Sequence, residues 1–199
     1  MITNTDRSRW FGASDTSYVV GNWDTPTFRD WWSIKCGFPS PHYESWAMKV
    51  GNLMEIPIIR KIERVEGRKI KLGKHPLYTV KNRLRVNYDG LTRDSVVEIK
   101  TSRHGFDTVP LNYWRQCQVL MYRTHRERAD LYCYTMLPID YDCPYITEID
   151  YKRLKCFEIP YDQDFIEDTY LPRLGYLADC LRLGTYPTKA GFDVWLQLK

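Results

Sequence analysis

The sequence of 199 residues has no apolar run approaching the roughly 20 residues that a membrane-spanning helix needs. Its polar start, MITNTDRSRW, lacks the apolar core of a signal peptide. We therefore expect a cytoplasmic protein. Internal repeats, low-complexity tracts and linkers rich in Pro, Gly or Ser are also missing, which predicts one domain spanning residues 1–199.

Several ligand-binding signatures are absent as well. The six cysteines include no CxxC pair and the four histidines no HExxH spacing, so neither a zinc site nor a disulfide framework is indicated. No GxxxxGK[ST] loop is present, which disfavours a nucleotide-driven helicase–nuclease. Cys143, Cys156 and Cys180 are too widely spaced for the tight C-terminal trio of an iron–sulfur nuclease.

Charge and aromatic content are more informative. Lys and Arg number 29 against 25 Asp and Glu, a net charge of +4 that mildly favours a polyanionic partner without requiring one. Aromatic residues are abundant, with 15 Tyr and 7 Trp. Large aromatic side chains either fill the core, which is the favoured interpretation, or wedge against a terminal base pair; the candidates are Trp10, Trp31, Trp32, Trp46 and Trp114.

Hydrophobic periodicity and punctuation by Gly and Pro predict the elements. We expect a short helix capped by Ser14 and Asp15, a second from Pro26, and a long helix over residues 44–65, with a possible bend at Pro57. Strands over residues 68–73, 77–90 and 95–102 form the start of a sheet. A helix over 111–124, strands over 129–137 and 155–160, and a helix over 162–183 follow. This order predicts an α/β fold with a mixed central β-sheet flanked by helices.

The strand SVVEIKTS carries the most informative side chains. Its period of two places Glu98 and Lys100 on one face and Val97 and Ile99 on the other. A carboxylate and an ammonium on one strand face are also typical of an ordinary solvated strand, so the pattern alone leaves both interpretations open.

The turn before this strand adds a second carboxylate. Asp89 stands nine residues before Glu98, and a hairpin would bring the two together, with Gly90 supplying a positive φ. Adjacent carboxylates repel unless a cation lies between them, and hard oxygen ligands suit Mg²⁺ or Mn²⁺. Lys100, its pKa lowered by burial and by the metal charge, would then act on the attacking water or stabilise the phosphorane. The chemistry predicted is metal-assisted phosphodiester hydrolysis.

Four segments in order resemble a known family over nearly the whole chain. They are RSRWFGASD (residues 7–15), GNLMEIPI (51–58), YDGL with VEIKTS (88–102) and YWRQCQVLMY (113–122). The sequence resembles the YqaJ-like phage recombinase nucleases, the family of the phage lambda exonuclease within the PD-(D/E)xK superfamily. The resemblance implies a restriction-endonuclease-like core and a Mg²⁺-dependent exonuclease that digests linear duplex DNA in the 5′→3′ direction.

The resemblance also assigns roles to residues. It implies that Glu55 lines the active site and helps to hold metal or water, and that Gln116 lies near the catalytic lysine. The metal ligands it implies are Asp89, Glu98 and the backbone carbonyl of Ile99, with Lys100 as the catalytic lysine.

A 5′-phosphate site is implied near the start of the chain. The matching arginine and serine are Arg7 and Ser14, with Arg9 as an alternative to Arg7. A helix N-terminus and an arginine fork suit a phosphate, although Ser14 as a simple cap remains open. The sequence departs from the family where Tyr88 replaces the signature proline. A brief loop between Lys100 and Tyr113 leaves ring formation and processivity open.

The resemblance further implies a phage or prophage origin in a bacterial host and double-stranded DNA ends as substrate. It implies 3′ single strands passed to a single-strand annealing protein, and a ring trimer as the homo-oligomer. Two alternatives stay open: an endonuclease of the same superfamily, and a catalytically silent DNA-binding or inhibitor protein with this fold.

Overall fold

The computed structural model describes residues 8–39, 45–145 and 148–199. The α-helices within these residues are α1 (Thr16–Val20), α2 (Pro26–Lys35), α3 (Trp46–Glu66), α4 (Leu111–Thr124), α5 (Pro138–Asp142), α6 (Leu171–Leu183) and α7 (Lys189–Gln197). The strands are β1 (Lys71–Leu72), β2 (Leu77–Thr79), β3 (Leu84–Val86), β4 (Gly90–Leu91), β5 (Ser95–Ser102), β6 (Arg128–Thr135) and β7 (Leu154–Pro160). No helix in these three ranges is long and apolar enough to cross a membrane.

The central sheet has the strand order β1-β4-β5-β6-β7. At its centre β5 and β6 are parallel, with Ser95 opposite Arg128 and Ser102 opposite Thr135. Parallel neighbours need a crossover connection, which α4 provides. The outer pairs are antiparallel. The mixed sheet flanked by helices confirms the predicted α/β fold.

The two faces of β5 point to two different cores. Val96 belongs to the core shared with α4 and α6, whereas Val97 and Ile99 pack in the core shared with α3. Glu98 and Lys100 therefore lie on the Val96 face, as the period of two predicts. The α3 side chains buried against the sheet are Val50, Met54, Ile58, Ile59 and Ile62.

The long helix α3 agrees with its prediction. Ser45 caps it, because its side chain accepts a hydrogen bond from the Met48 N–H at 3.2 Å. The helix continues through Pro57, although proline cannot donate one of the helical hydrogen bonds. It ends at Gly67, whose φ of 67° is the left-handed conformation that glycine adopts readily.

Strands β2 and β3 do not join the central sheet, so the prediction that they begin it is wrong. They pair with each other, Leu77 opposite Val86 and Thr79 opposite Leu84. Phe11 forms a parallel bridge with Leu84. Because Phe11, Leu84 and Val86 are all fully buried, the hairpin is held by the N-terminal segment instead of by β4.

The C-terminal region differs from the single predicted helix over residues 162–183. A π-helical segment, Phe165–Tyr170, precedes α6, and Pro172 lies in the first turn of α6. Proline has no N–H to donate to the carbonyl four residues earlier, and a wider turn at this point is consistent with that loss. Helix α6 ends at Gly184 with a φ of 68°, as predicted. Helices α5 and α7 were not predicted.

Candidate active site

Residues from separate elements line one cleft of about 520 Å³. Glu55 reaches it from α3, Asp89 and Glu98 from the β4–β5 hairpin, Lys100 from β5 and Gln116 from α4. The structure thus brings together five side chains that the sequence analysis singled out.

The β4–β5 hairpin places Asp89 beside β5. Pairing between the two strands stops where Gly90 faces Val97. Beyond that point the Asp89 Oδ2 accepts a hydrogen bond from the Ile99 N–H at 2.7 Å. Because the N–H and C=O of one strand residue point to the same edge, the Ile99 carbonyl faces the side on which Asp89 lies.

Gly90 is required for a different reason from the one expected. We predicted a positive φ at this position, and that prediction is wrong, since the residue lies in extended β4 and its φ is not positive. A Cβ on Gly90 would collide with the Ile70 Cγ2 atom. The position therefore needs a glycine because the chain approaches Ile70 closely.

Glu98 has two side-chain donors. Lys100 Nζ donates to its Oε1 at 2.7 Å, and Gln116 Nε2 donates to the same oxygen at 2.5 Å. The Lys100 ammonium also lies 5.2 Å from the centre of the Tyr113 ring. Tyr113 was not predicted to have a role, although it precedes Gln116 by three residues and so lies on the same face of α4.

Close packing of α3 on β5 brings Glu55 into the cleft. A Cβ on Gly51 would lie 3.0 Å from the Thr101 Oγ1, so the helix approaches the strand closely at this point. Glu55 follows one turn later on the same helix face. Asn52 lines the cleft beside it.

Burial and mutual repulsion change the acidity of this group. Burial, with a further contribution from Glu98, raises the pKa of Glu55 to about 7, although Lys100 opposes the shift. Burial and the charges of Glu98 and Glu55 also raise the pKa of Asp89 well above its usual value. Burial alone would lower the pKa of Lys100, but Glu98 and Asp89 outweigh it and raise that pKa. We expected burial and the charge of a bound metal to lower the pKa of Lys100. In the protein without a metal, that pKa is raised instead.

Asp15 fixes the N-terminal wall of the cleft, a role the sequence analysis missed. Its Oδ2 accepts from Lys35 Nζ at 2.6 Å and from the Gly12 N–H at 2.7 Å, and its Oδ1 accepts from Trp31 Nε1 at 3.0 Å. Lys35 Nζ also donates to the Trp10 carbonyl at 2.9 Å. The available signal was the position of Lys35, four residues after Trp31 on the apolar face of α2.

The three candidates for phosphate binding have different outcomes. Arg7 lies outside the described residues. Ser14 lines the cleft and belongs to a 3₁₀ turn, Ala13–Asp15, instead of capping a helix. Arg9 is exposed with a φ of 61° and is not among the described residues of the cleft lining. Arg85, a buried residue of β3 that was not singled out, does line it.

The tryptophans divide into core and surface residues. Trp31 and Trp32 are core residues, as favoured, with exposed fractions of 7% and 4%. Trp46 is 53% exposed, so a core role is wrong for it. Half-buried Trp114 packs edge to face on Phe165, and half-buried Trp10 lines the cleft.

The donor atoms of the cleft suit a hard divalent cation. Three carboxylates, of Glu55, Asp89 and Glu98, line the cleft and are oxygen ligands of the kind that Mg²⁺ and Mn²⁺ prefer. Ile99 is not among the described residues of the cleft lining, and its carbonyl lies on the edge of β5 beside Asp89. Across the three described ranges, no three His, Cys, Asp or Glu side chains are already grouped around a common point as metal ligands are. The Glu98 Oε1 is instead occupied by donors from Lys100 and Gln116.

Comparisons with known proteins give a match in structure but not in sequence. No protein-family model and no curated protein matches the sequence. The fold is similar to that of the alkaline exonuclease LHK-Exo from Laribacter hongkongensis, at 18% identity and a TM-score of 0.63, covering 96% of this chain and 93% of that one. The complex of LHK-Exo with dAMP matches at 20% identity and a TM-score of 0.65, covering 89% and 90%.

A phage-related exonuclease from Haemophilus somnus 129PT is also similar, at 12% identity and a TM-score of 0.60, with 96% of each chain covered. At these identities the likeness establishes the fold. It confirms the fold that the resemblance implied. The chain therefore has the restriction-endonuclease-like fold that these exonucleases share.

Proposed function

We propose that this chain is a Mg²⁺-dependent deoxyribonuclease that digests linear duplex DNA from its 5′ ends, with Mn²⁺ able to substitute. The observation that carries the proposal is the convergence of Glu55, Asp89, Glu98 and Lys100 on one cleft. A set of acidic groups beside one ammonium, with Glu98 buried and Glu55 and Asp89 partly buried, serves no evident packing purpose, and it suits hydrolysis of a phosphodiester.

Each side chain has a role in this mechanism. Lys100 Nζ, directed at the Glu98 carboxylate, donates hydrogen bonds that orient the attacking water and stabilise charge developing on the phosphorane. Gln116, on helix α4, donates a hydrogen bond to the Glu98 carboxylate and so holds that side chain in position. The Glu55 carboxyl, whose pKa is raised to about 7 in the absence of a cation, would ionise beside a bound cation and help to hold the cation or the attacking water.

The implied cation would be held by Asp89, Glu98 and the Ile99 carbonyl, with help from Glu55. When bound, Mg²⁺ supplies positive charge that acidifies a water and neutralises the phosphate. The Asp89 carboxylate contributes by fixing the open edge of β5 through its hydrogen bond to the Ile99 N–H.

Features outside the carboxylate group support DNA as the substrate. The three similar solved structures are of two exonucleases, and one of the three was determined with dAMP. A cleft of about 520 Å³ is in the size range of sites for small ligands such as a nucleotide. Lys74 and Arg85 line it, and cations of this kind attract phosphates.

The biological consequence belongs to the same proposal. Digestion from 5′ ends leaves 3′ single strands, the substrate of a single-strand annealing protein in phage-type homologous recombination. We propose such a protein as the partner and a ring trimer as the assembly.

The test is digestion of linear duplex DNA labelled at either the 5′ or the 3′ end, with Mg²⁺. A covalently closed circle of the same sequence and a reaction with EDTA are the controls. We expect early release of the 5′ label, an intact circle and no reaction in EDTA.

Other outcomes identify the alternatives. Cutting of the closed circle would indicate an endonuclease of the same superfamily. Binding without cleavage of any DNA, with Mg²⁺ or Mn²⁺, would indicate a catalytically silent DNA-binding protein and would overturn the proposal.

A further inference from the structure

Trp10 is an aromatic side chain that the proposed chemistry does not use. It is half-buried and lines the same cleft as the carboxylates. Among the described residues, neither cluster of buried apolar side chains includes it. A large, half-buried ring that does not belong to the core, on a residue that lines a cleft, is available to a ligand.

The ring of Trp10 packs against one neighbouring ring, and its backbone is fixed separately. The Tyr78 ring packs edge to face against it, with 5.0 Å between centroids. Tyr78 lies opposite Arg85 in the β2–β3 hairpin, and its carbonyl accepts from Arg123 at 3.0 Å. The backbone of Trp10 is fixed by the Lys35 ammonium. An immobilised ring loses little conformational entropy when it binds a second ring.

Backbone pairing places this ring on the wall that leads to the carboxylates. Because Phe11 pairs in parallel with Leu84, Trp10 lies alongside Arg83. The chain then continues through Arg85 to Asp89, six residues further on, which is at most about 20 Å of extended backbone. An aromatic ring, a guanidinium and an acidic group thus follow one another along one wall.

We propose that Trp10 stacks on the nucleobase of the terminal nucleotide that occupies the cleft, on the strand being degraded. The inference rests on the proposed nuclease function, and it adds a base-recognition site to the phosphate chemistry. Every nucleobase has a face that can stack on an indole. The contact therefore recognises the presence of a base and is tolerant of its identity.

The test removes the base and the ring separately and then together. The substrates are duplexes with a 5′-phosphorylated end whose terminal nucleotide is either natural or abasic, and a third duplex carries the abasic nucleotide at the 3′ end of the opposite strand. The proteins are wild type, Trp10→Leu, Trp10→Phe and, as a matched control, Trp46→Leu, because Trp46 is exposed on α3 and outside the described cleft lining. Release of the terminal nucleotide is measured with Mg²⁺, and binding by fluorescence anisotropy in EDTA.

We expect the wild type and Trp46→Leu to process and bind the 5′-abasic end between about 5-fold and 100-fold less well than the natural end. Trp10→Leu should process and bind the natural and the 5′-abasic end equally well. For Trp10→Phe, the difference between the two ends should lie between those of the wild type and Trp10→Leu. If Trp10→Leu does not fold, as judged by thermal melting, the reduced dependence of Trp10→Phe decides the matter.

The inference would be overturned if removal of the base slowed Trp10→Leu as much as it slows the wild type. It would also be overturned if the wild type responded to the abasic nucleotide at the 3′ end of the opposite strand and not to the one at the 5′ end. Its failure is separate from failure of the nuclease proposal. If the wild type cleaves no duplex at all, the nuclease proposal fails, and the anisotropy data alone decide whether Trp10 contacts the base.

Discussion

Two opposite charges are buried together where Lys35 meets Asp15, with side-chain exposures of 4% and 12%. Removal of water from both groups is unfavourable, and it is offset by their attraction and by the donors that Gly12 and Trp31 direct at the carboxylate. The arrangement is stable only while both partners are present.

Replacement of Lys35 by Met should therefore destabilise the protein strongly. We expect a loss of about 3–5 kcal/mol in the free energy of unfolding in urea, because Asp15 is left buried without its counter-charge. Lys189→Met is the matched control, since Lys189 pairs with Asp193 at 69% exposure and should lose less than about 1 kcal/mol. Equal losses would contradict a structural role for the buried pair.

The assignment of Lys100 is tested by Lys100→Ala. We expect cleavage to fall by at least about 100-fold while DNA binding in EDTA is retained, because orientation of the attacking water and stabilisation of the phosphorane are lost and most phosphate contacts are not. Glu98→Ala should behave in the same way. Lys155→Ala removes an exposed lysine that pairs with Asp107 and should cleave normally. Full metal-dependent activity in Lys100→Ala and Glu98→Ala would show that the site is elsewhere.

At the scale of elements, the short strand β4 depends on its close contact with Ile70. Gly90→Ala should lower stability by about 1–3 kcal/mol through overpacking, and activity with it, because Asp89 is adjacent. Ile70→Ala removes the atom that collides. The double variant should therefore be more stable than the sum of the two single effects predicts, as measured by urea unfolding. Simple additivity would exclude a collision as the cause.

Elements defined by local signals were predicted well from the sequence. Helix α4 was expected over residues 111–124 and has the bounds Leu111–Thr124, because its apolar period and the preceding proline are local. Pairing partners are not encoded locally, which is why β2 and β3 were assigned to the wrong sheet. Helix α7 was missed because it is short and contains Gly191.

The candidate site shows the same division. Asp89, Glu98 and Lys100 are joined by one hairpin, so periodicity and turn chemistry could bring them together. The contact of Lys35 with Asp15 spans 20 residues and that of Gln116 with Glu98 spans 18. The family resemblance alone suggested a place for Gln116 in the site. Nothing in the sequence analysis suggested the contact of Lys35 with Asp15.

At the scale of the whole molecule, the C-terminal helix packs on the N-terminal part of the chain. Phe192 of α7 lies 5.5 Å from both Trp23 and Tyr176, measured between ring centroids. This contact links distant parts of the sequence, as expected if residues 1–199 form one domain.

Unfolding should accordingly be a single transition. In urea, tryptophan fluorescence, far-UV circular dichroism and nuclease activity should change at one midpoint. Phe192→Ala should lower the free energy of unfolding by about 3–5 kcal/mol and move the three midpoints together to lower urea. Val194→Ala, at 58% exposure, should leave the midpoints nearly unchanged. Separate midpoints would indicate two units in place of one domain.

The cleft is lined by residues from Trp10 to Gln116, and no short stretch of chain carries more than part of it. During refolding, the N-terminal segment must meet β3, and α3 must meet β5, before any of the chemistry is possible. Such non-local encounters close large loops and are slow compared with helix formation. If the chain is the proposed nuclease, a nascent or partly folded chain would therefore not cleave DNA, because the active site forms only once the tertiary structure is complete.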